Sequence, residues 1–240
     1  MTMAAVPNGS VVAVIPARGG SRRIPHKNIK PFLGVPLLSR TIATLHESKL
    51  FDRIVVSTDD DDIAAVATDS GAEVPFQRPD DLADDHTGTR PVIMHAITAL
   101  EDMGERQLGP VCSVYPAAVF VRPEDLRASL GLLVADSVDF VVSAAAFPSP
   151  IQRALRQRSD GMAEMFWPEN RDTRSQDLEE AFHDAGQFYW GQRSAWLSGT
   201  SSLSGNSRLY VLPRWRVHDI DTPEDWELAE LMWETLEGRG

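Results

Sequence analysis

The chain has 240 residues, 42% of them hydrophobic, and 23 Lys plus Arg stand against 35 Asp plus Glu for a formal net charge of −12. That length suits one large domain, and the acidic balance argues against the broad basic face on which general nucleic-acid binding rests. No run approaches the roughly 18 uninterrupted apolar residues of a membrane span, the start does not read as a signal peptide, and the single cysteine, Cys112, fits a reducing compartment, so a soluble cytoplasmic protein is expected.

Residues 1–10 read as a disordered lead without chemistry, and 11–240 as a single domain. "VVAVIPA" at 11–17 is a near-continuous β-branched run, as are "RIVVSTD" at 53–59, "VCSVY" at 111–115 and "VDFVVSAAA" at 138–146. Runs of this kind are strands covered on both faces. Helices are expected between them. Residues 36–46 carry Leu38, Ile42 and Leu45 at helical spacing, and residues 60–70 open with acids and stop at Gly71. Residues 91–103 and 123–134 read similarly. Strand, helix and strand in alternation imply right-handed crossovers and a mainly parallel sheet with helices on both sides, which binds ligands beyond the carboxyl ends of its strands. Residues 149–186 break this rhythm, being polar and dotted with aromatics, and read as a hairpin or irregular excursion. "QFYW" at 187–190 and "LYVLP" at 209–213 return to strand, residues 198–207 form a Ser/Gly-rich loop, and 222–236 close the chain as a helix.

Two clusters carry chemistry. Residues 1–46 contain no acid and six basic residues, leaving 17 basic against 35 acidic in the remainder. After the first strand come Arg18, Gly19, Gly20 and Ser21, then Arg22, Arg23, Lys27 and Lys30. Glycines let backbone N–H groups approach an anion, and Pro16 and Pro25 stiffen the loop. The spacing is neither GxGxxG nor GxxxxGK[ST], so a phosphate cradle and a solvated basic loop both remain open. In "VHDIDTPEDW" at 217–226, Asp219 and Asp221 are two apart, and extended backbone would turn both carboxylates to one hard cation such as magnesium. Alternatively Asp221 belongs to the turn that starts the last helix, where Thr222, Pro223, Glu224 and Asp225 are all good helix-start residues. Cys112 reads as core packing, and His183 and His218 lie near the candidate site without a role as general base.

"IPARGGSRRIPHKNIKPFLGVPLL", "FDRIVVSTDDDDIAAVA", "GAEVPFQRPDDLADD" and "HDIDTPEDW" together resemble the cytidylyltransferases that activate sialic-acid-like nine-carbon sugars as CMP derivatives. "FPSPIQRALR" and "MFWPENRDTRSQDLEEAFHDAGQFYW" are most similar to the pseudaminic acid branch. The resemblance implies a three-layer α/β/α nucleotidyltransferase fold with a mainly parallel, Rossmann-like sheet. It makes 149–186 a dimerisation and substrate segment of a homodimer. It assigns Arg18, Ser21, Arg22, Lys27, Asn28 and Arg78 to the nucleotide and Asp219 and Asp221 to Mg2+, with Arg18, Lys27 and the two aspartates catalytic. Arg174 is assigned to the sugar-acid carboxylate, with Gln187 also on the substrate side; Arg153 and Arg171 are weaker candidates. Where relatives read "YPTAPF", this chain has "YPAAVF", with Ala117 and Val119 in place of a hydroxyl and a proline.

Three functions follow from this reading. The first is activation of pseudaminic acid with CTP, releasing pyrophosphate. The second is the same chemistry on a sialic, legionaminic or octulosonic acid. The third is a nucleotide-binding homologue with weakened turnover.

Overall fold

The apolar run after Gly9 forms β1 (Ser10–Pro16), and its side chains alternate between two buried faces. Val11, Ala13 and Ile15 enter one core while Val12 and Val14 enter another. A strand buried on both sides needs this unbroken apolar character. The computed structural model describes residues 9–104, 108–203 and 205–237, so residues 1–8 of the expected lead lie outside the described residues.

A short hairpin, β2 (Pro31–Phe32) and β3 (Val35–Pro36), precedes α1 (Leu37–Ser48) and β4 (Arg53–Ser57). Its turn residues Leu33 and Gly34 have φ of 48° and 79°, the left-handed pair that a tight hairpin favours. Then come α2 (Asp61–Asp69), α3 (Thr89–Asp102), β5 (Leu108–Val114), α4 (Pro123–Ala135) and β6 (Phe140–Ala146). The excursion holds a small hairpin, β7 (Leu155–Gln157) with β8 (Ala163–Met165). The chain returns through β9 (Phe182–Gly191), α5 (Arg193–Leu197), β10 (Ser207–Val211) and α6 (Pro223–Glu237).

The six-stranded sheet has the order β10-β6-β9-β5-β1-β4. Five strands run parallel and β9 is inserted antiparallel between β5 and β6. The sequence shows strand character at 187–190, but the strand reaches back to Phe182, so the excursion ends five residues earlier than the pattern suggests. Residues 183–186 carry polar and small side chains and line the cleft at this end of the sheet.

Helices α1, α2 and α4 cover one face through Leu38, Ile42, Leu45, Ile63, Ala67, Leu126, Leu130 and Leu133. Helices α3 and α5 cover the other through Ile93, Ala96, Ile97, Leu100, Ala195 and Trp196. Each fully buried aliphatic side chain contributes roughly 1.5–3 kcal/mol. Cys112 is fully buried in the first of these cores, and burial pushes its thiol well above its ordinary pKa. A third cluster packs α6 on the β2–β3 hairpin: Phe32 meets Trp226 and Trp233 edge-on at 5.6 and 5.9 Å, and Glu230 accepts the Leu33 N–H at 3.1 Å. The last helix is thereby fixed to the segment that follows the basic loop. No helix among the described residues is long and apolar enough to cross a membrane.

Candidate active site

The carboxyl ends of β1 and β5, the segment from Arg78 to the start of α3, the start of β9 and the loop before α6 enclose a cleft of about 930 Å³, near the top of the usual small-molecule range. Arg18, Ser21, Arg22, Lys27, Asn28, Arg78, Gln187, Asp219 and Asp221 all line it. Arg174 does not line it. Its side chain is exposed and lies 4.0 Å from Asp177. Arg153, which donates to the Thr173 carbonyl, and the exposed Arg171 stay on the same excursion.

The basic loop is tied into a fixed shape. Asn28, nearly buried, donates its side-chain amide to the Arg18 carbonyl at 2.9 Å, closing the loop across ten residues. Ile24 anchors the middle of the loop in the third core cluster. The glycines work differently from a simple phosphate cradle. Gly19 donates its N–H to Asp59 Oδ1 at 3.1 Å, and a Cβ there would meet Asp60 Oδ2 at 2.4 Å. Gly19 is required because the loop passes directly over the N-cap of α2, where Asp60 accepts from the N–H groups of Asp62 and Ile63. The positive charge of the loop is carried by the side chains of Arg18, Arg22, Arg23 and Lys27, and the Gly19 N–H is spent on Asp59.

Arg78 is 4% exposed and donates to the side chain and carbonyl of Ser57. Burial lowers its pKa to about 10 against the pull of Asp59, so it remains a fixed cation at neutral pH.

The aspartate segment is aimed by its neighbours. Arg216 is buried and forks onto Asp125 at 2.5 and 2.9 Å, pinning the turn just upstream. Ile220 is fully buried, which turns Asp219 and Asp221 the other way, as a two-residue period demands. Helix α6 is capped by Thr222 and Asp225: Asp225 accepts the Thr222 N–H at 2.8 Å, and Thr222 Oγ1 accepts the Asp225 N–H at 3.2 Å. Asp221 is thus not needed as a cap. Its carboxylate meets Lys27 Nζ at 3.1 Å and Arg23 at 2.6 Å, joining the basic loop to the late aspartates. The Asp219 carboxyl is held above its ordinary pKa by desolvation and by the neighbouring Asp221 charge. Two carboxylates two residues apart that both line the cleft are a fit for a hard cation that takes one or two protein ligands and draws the rest from water and phosphate. No cluster of three or more His, Cys, Asp or Glu suited to a metal occurs among the described residues, so such an ion would depend on its substrate for ligands.

The far wall comes from β5 and β9. Tyr115 bonds Thr89 Oγ1 at 2.6 Å, and Tyr189 donates to Asp184 Oδ2 at 2.6 Å. Gln187 is 2% exposed; its amide nitrogen donates to the carbonyls of Ala185 and His218, while its Oε1 is buried without a hydrogen-bond partner. Ala117 lines the cleft, whereas Val119 packs in the third core cluster. Only the first of the two departures in "YPAAVF" therefore touches the site. Tyr115, Asp184, Tyr189 and Asp85 escape a reading of the sequence, although Tyr115 sits at a strand end, where the rule for parallel sheets directs attention.

Residues 12–159 match the family model described as cytidylyltransferase. The chain is 39% identical over 222 residues to the pseudaminic acid cytidylyltransferase of Campylobacter jejuni serotype O:2, covering 92% of this chain and 95% of that protein. It is 30% identical to the CMP-N,N'-diacetyllegionaminic acid synthase of Legionella pneumophila, covering 93% and 96%. Among solved structures, a CMP:2-keto-3-deoxy-manno-octonic acid synthetase in complex with CTP shares the fold with a TM-score of 0.69 at 16% identity, over 95% of this chain and 100% of that one.

Proposed function

The chain belongs to the cytidylyltransferase family, and from that premise we propose that it activates pseudaminic acid with CTP, giving CMP-pseudaminic acid and pyrophosphate. The observation that carries the choice of sugar is the 39% identity to a pseudaminic acid cytidylyltransferase across 92% of this chain. The cleft supports it by bringing one basic loop and two late aspartates to one place.

Both reactants are anions, so the first task is to hold them together. Arg18, Arg22 and Lys27 neutralise the triphosphate, and the tie from Asn28 to the Arg18 carbonyl keeps the loop from moving as charge shifts toward pyrophosphate. Arg78, fixed by Ser57, adds a cation on the nucleotide side. The anomeric hydroxyl of the sugar acid attacks the α-phosphorus in line; the new oxygen–phosphorus bond forms as the bond to pyrophosphate breaks, and the hydroxyl proton passes to water. Alignment of these groups and stabilisation of phosphate charge supply most of the acceleration in such transfers. Asp219 and Asp221 would hold Mg2+, which supplies charge neutralisation at phosphate oxygens when bound. The sugar lies against the β9 wall, with Gln187 and Tyr189 facing it.

The enzyme acts as a homodimer in this reading. The excursion exposes Leu155, Met162, Phe166 and Trp167, an apolar set on a small hairpin that a second copy would cover. Arg174 would then serve the sugar carboxylate from the partner's side. The reaction takes place in the cytoplasm.

The test is pyrophosphate release with CTP across a panel of sugar acids. Release with pseudaminic acid is expected. Release only with a legionaminic, neuraminic or octulosonic acid would transfer the assignment to that sugar, and the 30% identity to a legionaminic acid synthase makes that acid the first comparison. CTP binding without release for any sugar would leave a nucleotide-binding homologue.

A further inference from the structure

Asp85 lines the cleft beside the basic loop. Its Oδ1 accepts from Arg18 at 2.6 Å and its Oδ2 lies 2.5 Å from Arg22. One carboxylate bridging two guanidinium groups presents the charge and lone-pair pattern of a phosphate. The local chain is built to deliver it. Asp84 Oδ1 accepts the N–H groups of His86 and Thr87 at 2.9 and 2.6 Å, an Asx turn that fixes the tip, and Arg18 also donates to the Asp84 carbonyl at 3.0 Å. The segment is anchored at both ends, by Arg78, which donates to Ser57 at the end of β4, and by the hydrogen bond between the Thr89 and Tyr115 hydroxyls. Its tip therefore rests on Arg18 and Arg22 while its feet are held by the sheet. The arginine pairing keeps the Asp85 carboxyl below its ordinary pKa, so it is charged at neutral pH.

We propose that Asp85 is a positioning residue that serves as an internal counter-anion, holding Arg18 and Arg22 side by side, yielding them to the nucleotide's phosphates and reclaiming them as pyrophosphate departs. This rests on the cytidylyltransferase reading of the same cleft. Arg22 is 84% exposed and the Asp85 side chain 29%, so each pair has the modest strength of a surface ion pair. Displacing both weakens polyphosphate binding about three- to tenfold. The same weakening acts on substrate and on product, so it limits product retention at the cost of some substrate affinity.

The experiment compares Asp85→Asn, Asp85→Glu and, as a control for net charge, Asp69→Asn at the exposed end of α2. Titration calorimetry with CTP and separately with inorganic pyrophosphate reads the latch without any sugar. Asp85→Asn is expected to bind both ligands about three- to tenfold more tightly, to show a lower KM for CTP without a higher kcat, and to be inhibited by pyrophosphate at lower concentration. Asp85→Glu should stay near the original protein and Asp69→Asn should match it. Unchanged or weaker binding of both ligands in Asp85→Asn, with a melting temperature near that of the original, overturns the proposal. Failure of the original protein to bind CTP at all would instead refute the reading of the cleft.

Discussion

Replacing Asp125 by Asn tests how the fold aims the late aspartates. The Asp125 and Arg216 side chains are 3% and 8% exposed, and their two hydrogen bonds are joined by one from Tyr210 to Asp125 at 3.1 Å. Asp125 also accepts the Arg122 N–H at 2.9 Å, at the start of α4. Asn keeps the shape but removes the charge, leaving the Arg216 guanidinium buried without its counter-ion. Breaking a buried pair from one side costs about 3–5 kcal/mol, and in a domain of this size each kcal/mol lowers the melting temperature by roughly 2–4 °C. A fall of roughly 6–20 °C is therefore expected, with the unfolding midpoint in urea dropping in step. Differential scanning calorimetry at pH 7 reads this directly. Because Arg216 lies three residues before Asp219, turnover measured well below the new melting temperature should also fall. The double variant Asp125→Leu with Arg216→Met removes both charges and should be markedly less destabilised than the single Asn variant. A single variant that melts within 2 °C of the original, or a double variant that is worse than the single one, would show that this pair is not what holds the segment.

Asp221→Asn should abolish pyrophosphate release while the melting temperature stays within a few degrees, because the helix cap belongs to Thr222 and Asp225; near-normal turnover would remove Asp221 from the site. Replacing Phe166 and Trp167 together by Ser should shift the protein to monomer in analytical ultracentrifugation and raise the KM for the sugar, and Arg174→Ala should raise that KM without changing the one for CTP. An unaltered sedimentation profile would place the subunit contact elsewhere. The hydrogen bond from Arg193 is the main reason the Glu101 carboxyl sits below its ordinary pKa. A depressed carboxyl pKa contributes stability that is present above the unfolded value and is lost as pH falls through the folded one. Arg193→Met should therefore lower the melting temperature modestly at pH 7, by no more than the equivalent of about 1 kcal/mol for a partly exposed pair. The difference should shrink as pH falls below the ordinary glutamate range and vanish once Glu101 is protonated in the folded protein, and a gap that persists there would point to lost packing instead.

The strands and helices were legible because each signal is local. A short β-branched run such as 53–57 reads as a buried strand, and the acids at 60–62 with Gly71 mark both ends of α2. The pairing of Asp219 with Asp221 was visible for the same reason, since two residues apart in extended chain means one face. The meaning of Gly19 was not visible, because the atom that requires it belongs to Asp60, in a distant part of the chain. Nor was the place of Asp85, which reads as one acid in an acidic stretch until Arg18 and Arg22 are found against it.

The amino-acid order by itself determined the parallel strand-and-helix alternation, the basic loop and the paired aspartates, since hydrophobic period and charge act over a few residues. Tertiary structure alone decided that β9 runs antiparallel through the middle of the sheet, that Asp221 meets Lys27 across 194 residues, and that Arg174 stands outside the cleft of its own chain. Those outcomes depend on which surfaces find each other when the core closes, and side-chain contacts between distant segments leave no periodic mark on either segment.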